Sequence, residues 1–223
     1  MRRDDDVIVL TETSRGAGTR LIVEGLTSRG YFTIATALEN DRGTLIATRL
    51  EIRRNLSSLL NVTLPWRVAA IELAGDLPIA FLGVYVPSRD RSPMKVLRKR
   101  SFIRSLLESV ARLPRSIRDH MIIAGDYNVI SRRHDPPRLG FFAYEYEMLE
   151  SLEAFGFSAG HELANLSKHP HSWIGRTGAG YLYDYFHIAE RLQPHVAYCE
   201  YLHRTRHLRL SDHAAVSVSF RFR

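Results

Sequence analysis

The sequence predicts a layered α/β sandwich with mixed sheets. Three observations carry this. Short apolar, β-branched runs such as Val7-Ile8-Val9-Leu10-Thr11 recur along the 223 residues and read as strands. The clearest helical pattern, Met94 to Leu113, places Ile103, Leu106, Leu107 and Val110 at i, i+3, i+4 and i+7. The helices fall at irregular intervals between the strands. That does not suit strict βαβ alternation; it suits mixed sheets stacked in layers.

Each element follows from local pattern. Val7 to Thr11 reads as a buried strand. Ala17 to Ser28 reads as a helix with Leu21, Ile22 and Leu26 on one face and Gly30 beyond its end. Tyr31 to Thr36, Gly43 to Leu50, Arg67 to Leu73 and Ile79 to Val86 read as strands. Turn signals at Asn40-Asp41-Arg42-Gly43, Leu64-Pro65 and Gly75-Asp76 separate them. In the Met94 to Leu113 helix, Lys95, Arg98, Lys99 and Arg104 are assigned to the outer faces. His120 to Ala124 is a further strand. Phe142 to Phe155 reads as a helix with Tyr146, Leu149 and Leu152 inward. Ala159 to Gly180 is a polar, His-rich loop. Tyr181 to Ala189, His195 to His203 and Ala214 to Phe222 close the chain as strands. There is no repeat, low-complexity tract or linker, so residues 1–223 are expected to form one domain.

Composition narrows the function classes. A hydrophobic content of 45% supports a full core without staples. Cys199 is the single cysteine, which excludes an internal disulfide and points to a reducing compartment. No run approaches the ~18 to 20 apolar residues of a membrane span. Met1-Arg2-Arg3-Asp4-Asp5-Asp6 lacks the apolar centre of a signal peptide, so a cytoplasmic location is expected. The formal net charge is +7, and Arg89 to Arg118 holds ten Lys/Arg against two acids. Such a field favours a polyanion such as nucleic acid, or an anionic lipid surface. The same run also suits a solvated helix face.

The residues with chemistry lie at strand ends, a common position for a site in an α/β protein. Gly125-Asp126-Tyr127-Asn128 follows the run Met121-Ile122-Ile123-Ala124. Two apart on an extended segment, Asp126 and Asn128 point to one side, which suits holding a water, a metal or a phosphate oxygen. The same residues suit an Asp/Asn turn. Ser211-Asp212-His213 precedes the last strand. His213 there suits acid/base work or phosphate-charge stabilisation; a loop cap is the alternative for Asp212. Three consecutive residues do not build a Ser-His-Asp triad. Asp184 sits in an aromatic strand, where a carboxylate needs a partner, and a histidine would serve. Glu12 closes an apolar strand in the same way. A set of carboxylates suits Mg²⁺, a hard cation with a preference for oxygen. His161, His169 and His171 share a loop but lack the tight spacing of a zinc site.

Taken in order, these segments resemble the endonuclease/exonuclease/phosphatase superfamily, which includes exonuclease III-type and deoxyribonuclease I-type enzymes. The segments are Val9-Leu10-Thr11-Glu12-Thr13, Val84-Tyr85-Val86-Pro87-Ser88, Gly125-Asp126-Tyr127-Asn128, Ser172-Trp173 with Tyr183-Asp184-Tyr185, and Ser211-Asp212-His213. The resemblance spans nearly the whole chain. It implies a four-layer sandwich of two mixed sheets flanked by helices. It also implies hydrolysis of a phosphoester by a metal-activated, in-line water. In that scheme Glu12 binds Mg²⁺ or Mn²⁺, and Asp212 adds a metal or outer ligand. Asp126, helped by Asn128, orients and deprotonates the water. His213, paired with Asp184, holds the phosphate, and Tyr85 contacts it. Arg89, Arg98, Trp173 and Arg176 are the expected substrate contacts. Two departures stand out: the family's first strand and its asparagine are expected to be missing ahead of Met1, and Leu182 stands where an Arg or Lys is common.

The expected function is a metal-dependent phosphodiesterase, foremost a nuclease acting on DNA. Two alternatives stay open. One is a phosphatase or a phospholipid or inositol-phosphate phosphodiesterase on the same site. The other is a catalytically inactive nucleic-acid binder. Oligomeric state is not legible.

Overall fold

The computed structural model describes residues 4–166 and 169–222. Along the chain run β1 (Val7–Thr13), α1 (Ala17–Thr27), β2 (Phe32–Ala35), β3 (Gly43–Thr48), β4 (Ile52–Asn55), β5 (Val68–Leu73), β6 (Ala80–Tyr85), α2 (Pro93–Arg112), α3 (Arg115–Arg118) and β7 (Met121–Asp126). There follow α4 (Ala143–Ala154), β8 (Phe157–Ala159), α5 (Gly160–Leu163), β9 (Trp173–Ile174), β10 (Gly180–Tyr181), β11 (Asp184–Ala189), β12 (Val196–Leu202), α6 (Arg204–His207) and β13 (Ala215–Phe220).

Every residue of β3, β5 and β6 is buried, as continuous apolar runs demand: such strands must be covered on both faces. β5 and β6 lie in a six-stranded sheet of order β4-β5-β6-β7-β11-β8. β6 and β7 run parallel, while the other neighbours are antiparallel, so the sheet is mixed. One face packs Leu82, Val84, Ile123 and Tyr185 against Phe102, Ile103, Leu106 and Val110 of α2 and Met148, Leu149 and Leu152 of α4. Each such fully buried side chain stabilises the fold by ~1.5–3 kcal/mol. The other face packs Ile71, Ile122 and Ile188 against Val7, Val9 and Ile46 on one side and Val218 and Phe220 on the other. Val23 and Leu26 of α1 cover the outside of β1 and β3. The layers are therefore helix, strands, six-stranded sheet and helices, the expected four-layer sandwich.

The facing strand layer is in two pieces. One is an antiparallel sheet of order β1-β3-β2; the other is the hairpin β12-β13. β1 packs on β6 and β7, and β13 packs on β11, so both pieces sit over neighbouring strands of the large sheet. Gly83 lets these layers close. A Cβ there would stand 2.8 Å from Thr44 Cγ2 and 3.0 Å from Val9 Cγ1.

Several expectations need correction. Leu21 and Ile22 are not the core face of α1: they are 71% and 47% exposed, and Val23 and Leu26 face inward instead. β4 and β8 were not anticipated, and the His-rich loop carries α5 and the β9–β10 pair. The long aromatic strand is interrupted at Leu182-Tyr183. Lys99 does not decorate an outer face; it is 1% exposed, on the inner stripe of α2 with Phe102, Ile103 and Leu106. The basic run is also largely countered locally. Arg89 and Lys99 pair with Glu145, Arg98 with Asp41, Lys95 with Asp90, and Arg104 and Arg112 with Glu108. No helix among the described residues is long and apolar enough to cross a membrane.

Candidate active site

Strand register builds half of the site. Tyr85 on β6 pairs with Asp126 on β7, and Asp126 pairs with Asp184 on β11. Directly paired residues on neighbouring strands share a face of the sheet. Three candidate side chains are thus aligned in a row at one end of the sheet. Gly125 makes the row possible. Its φ is +144°, and a Cβ would lie 2.0 Å from the Val84 carbonyl oxygen, so only glycine permits this approach of β7 to β6.

The facing layer supplies the other half. Glu12, near the end of β1, accepts the Tyr85 hydroxyl proton at 2.9 Å. His213, just before β13, meets Asp184: Nδ1 to Oδ2 is 2.7 Å. Ligand atoms of Asp126, Asp184 and His213 lie within 4.8 Å of one another, the one such grouping found among the described residues. Glu12 and Asn128 both hold positive φ, +57° and +50°. Asn tolerates that region; for Glu it costs about 1–3 kcal/mol.

Hydrogen bonds set the role of Asp126. It is 2% exposed. Its Oδ1 accepts the Asn128 backbone N–H and its Oδ2 the Asn128 side-chain amide, each at 2.8 Å. The same amide also donates to the Val86 carbonyl at 3.1 Å, which fixes the carboxylate plane through the end of β6. Burial, then the nearby Asp184 charge, pushes the Asp126 carboxyl up, while His213 and the Asn128 amide oppose this. Burial alone would lower His213. The Asp184 hydrogen bond and charge, reinforced by Asp126 and Asp212, outweigh it and raise the imidazole to about 9. The histidine is therefore an imidazolium at neutral pH. Burial and Glu12 likewise push the Tyr85 hydroxyl up, so it remains a proton donor.

The expected site residues divide. Tyr85, Asp126, Asn128, Asp184, His213 and Glu12 come together. Asp212 is exposed and accepts the Trp173 indole N–H at 3.0 Å, outside the three-residue cluster. Trp173 is half-buried and bridges to His213, while Arg176 is exposed on the β9–β10 turn. Arg89 donates to Glu145 at 3.0 Å through Nε and stacks on Phe142, with its side chain 7% exposed. Arg98 is bound to Asp41. Both arginines are thus committed to structural pairs.

Some supporting residues gave little signal. Lys99 Nζ donates to the Asn128 carbonyl and to Glu145, each at 2.6 Å, and so ties the Asp126–Asn128 turn to α2 and α4. Arg67 lies over the Tyr85 ring at 4.4 Å and pairs with Asp41 at 2.7 Å. Partial burial opposes ionisation of Asp41, yet hydrogen bonds from Arg67 and Trp66 and the Arg67 charge hold its carboxyl at about 2. Ser172 was legible only as the neighbour of Trp173. It is fully buried; its Oγ accepts the Tyr183 and Asp184 amides, and its carbonyl accepts Ala214 N–H at 2.7 Å. One serine therefore braces both sides of the Asp184–His213 pair.

A divalent cation fits these residues. Ligand atoms of Asp126, Asp184 and His213 converge, and after burial the charges of Asp184 and Glu12 add to what opposes ionisation of Asp126. Hard cations take such oxygen sets.

No protein-family model and no curated protein matches the sequence. Solved structures do. A 3'-5' exonuclease (NExo) from Neisseria meningitidis is 19% identical, with a TM-score of 0.79 over 97% of this chain and 90% of that one. An AP endonuclease from Archaeoglobus fulgidus is 16% identical, with a TM-score of 0.78 over 97% and 89%. A 3' phosphatase, NExo from Neisseria bound to product DNA hairpin, is 18% identical, with a TM-score of 0.76 over 97% and 89%. The chain thus has an exonuclease III/deoxyribonuclease I-like fold.

Proposed function

We propose that this chain is a divalent-metal-dependent phosphodiesterase, a nuclease acting on DNA, built as one domain over residues 1–223. The observation that carries the reading is the buried Asp126 beside the Asp184–His213 ion pair, aligned by strand register. The DNA-directed activities named for the similar structures support the choice of substrate.

In this reading His213 is the charged donor that binds a phosphate oxygen and stabilises the negative charge growing on it. Asp184 holds the ring's orientation, with Nδ1–H inward and the Nε2–H donor outward. Asp126, fixed by Asn128, accepts the proton of the attacking water. Tyr85 orients Glu12 and is the proposed phosphate contact once Glu12 has another partner. Glu12 and Asp126 would hold the cation, and Asp212 is the proposed outer ligand. A bound Mg²⁺ or Mn²⁺ supplies charge neutralisation at the phosphate and leaving oxygen. Trp173 and Arg176 project from the β9–β10 pair as proposed contacts to the nucleic acid.

The test is cleavage of plasmid DNA and abasic-site or 3'-phosphorylated duplexes with Mg²⁺, Mn²⁺ or EDTA, alongside Asp126→Asn. Cleavage that needs metal and vanishes in the variant supports the proposal. Intact DNA with hydrolysis of an inositol phosphate or phospholipid would replace the substrate. Salt-dependent DNA binding without any hydrolysis would leave a binding protein.

A further inference from the structure

The segment that delivers Asp184 is not held by a strand ladder at its start. β11 begins only at Asp184, and the amides just before it go to side chains. Tyr183 and Asp184 N–H donate to Ser172 Oγ at 2.9 and 3.1 Å, and Leu182 N–H donates to His134 Nε2 at 3.1 Å. His134 comes from the loop after β7 and is 3% exposed. Its Nδ1 faces the Pro136 carbonyl at 2.9 Å. A carbonyl only accepts, so Nδ1 carries the proton and Nε2 carries the lone pair. One neutral tautomer satisfies both contacts, and no other protonation state does.

We propose that His134 is a positioning residue: its neutral Nε2 fixes the Leu182 peptide and, through it, the Asp184 carboxylate that carries His213. The inference rests on the phosphodiesterase reading for its kinetic part only. The Leu182 peptide has little freedom otherwise, because its carbonyl accepts the Tyr185 hydroxyl at 3.0 Å and the next carbonyl, of Tyr183, accepts Tyr127 N–H at 2.8 Å. A proton on Nε2 would set two donors face to face and release this peptide. The groups around the ring favour the neutral form. His169 lies edge-on at 4.6 Å, His171 stacks at 5.6 Å and Tyr181 is tilted at 6.2 Å. Burial lowers the imidazole's pKa; the Pro136 carbonyl and Asp135 oppose this, while His171 and Arg138 add to it. The site is therefore coupled to a histidine that takes no part in the chemistry.

The test uses the full chain, ¹⁵N-labelled, with His134→Gln and His134→Phe. Gln places an acceptor where Nε2 stood and does not titrate; Phe keeps the ring and removes the acceptor. In the wild type, NMR should find the Nδ1–H tautomer of His134 and an exchange-protected Leu182 amide. That protection should fall as His134 titrates in the same spectra. His134→Gln should keep the amide protected at low pH. His134→Phe should lose the protection and lower kcat about tenfold with KM changed less than about twofold, the signature of a displaced reacting group. His134→Gln should restore kcat and remove the His134 component of its acid limb. An Nε2–H tautomer, or protection and kcat both unchanged in His134→Phe, would overturn the proposal. Should His134→Phe not fold, the wild-type pH dependence of Leu182 exchange decides alone. If the chain hydrolyses no phosphoester, the phosphodiesterase reading falls, while the tautomer and the exchange data still judge His134.

Discussion

The two halves of the candidate site are held by different physics. Tyr85, Asp126 and Asp184 stand on β6, β7 and β11, three central strands with partners on both sides. Glu12 and His213 come from β1 and β13, which close their pieces of the facing layer as outer strands. The first three are placed by ladder register, which a single substitution does not shift. The other two are framed by local loop contacts, such as Thr205 to the His213 carbonyl and the Trp173–His213 bridge, and reach the large sheet through side-chain hydrogen bonds: Tyr85 to Glu12, and Asp184 to His213. The lesson is that the large sheet supplies the geometry, and two hydrogen bonds join the loosely framed half to it.

Cutting the stronger join should have the largest effect. Asp184→Asn keeps the size of the side chain and removes its charge. The His213 pKa should then fall from about 9 toward its ordinary 6.5. Cleavage at neutral pH should drop by ~10²–10⁴, in line with the loss of an orienting carboxylate from a histidine dyad. The sign of the pH effect follows from the raised pKa. His213 is favoured in its charged form by the fold, so its contribution to stability is full below pH 6.5 and lost as pH rises through about 9. Wild-type kcat/KM should fall over the same alkaline range, and the variant should begin to fall about two pH units earlier. A pH–rate profile with NMR titration of His213 measures both. An unchanged alkaline limb would mean that the two halves are not joined here.

The support beneath the sheet-held half makes the next test. Lys99 and Glu145 are both buried, and burial lowers the lysine pKa. Lys99→Met leaves Glu145 with Arg89 as its paired cation, beside the Phe142 N–H, and releases the Asn128 carbonyl. Breaking one side of a buried pair typically costs about 3–5 kcal/mol. Urea unfolding should show that loss, with the m-value unchanged. The double variant Lys99→Met, Glu145→Leu should recover neither stability nor rate, because it also strands the buried Arg89 and leaves the Asp126–Asn128 turn untied. Full recovery of both would reduce Lys99 to packing.

Where the sequence was silent, the reasons are physical. Asp126, Asn128, Asp184 and His213 were legible because each is a polar break at the end of an apolar run, and adjacency in sequence is enough to see that. Lys99 was not: its position fits the inner stripe of α2, but a lysine there reads as exposed until its partner Glu145, 46 positions away, is known. The same applies to Arg89 and Arg98, whose partners Glu145 and Asp41 lie 56 and 57 positions off. A local count of charge cannot see a distant carboxylate. The fold's layers followed from periodicity, whereas the break at Leu182-Tyr183 did not. An aromatic run with strand propensity reads as one strand, and only His134 and Ser172, from two other loops, reveal that its amides are taken elsewhere.

The weaker join should yield the smallest effect, and its size measures how far Glu12 depends on the sheet. Tyr85→Phe removes one hydroxyl, leaves the ring under Arg67, and deletes the hydrogen bond from β6 to Glu12. Glu12 is exposed, so water replaces the lost partner and little stability should change, about 0.5–1.5 kcal/mol at most. The rate is the sharper readout. Without the hydroxyl, the Glu12 side chain loses the bond that orients it, while its left-handed backbone keeps the Arg42 contact to its carbonyl. Cleavage should fall by roughly tenfold, worth about 1.4 kcal/mol. The metal concentration for half-maximal activity should rise as well, because Glu12 is the proposed ligand that Tyr85 orients. A fall in rate at saturating metal with no change in metal requirement would place Tyr85 on the phosphate and not on Glu12. An increase in metal requirement alone would make the hydroxyl a support for Glu12 and leave phosphate binding to His213.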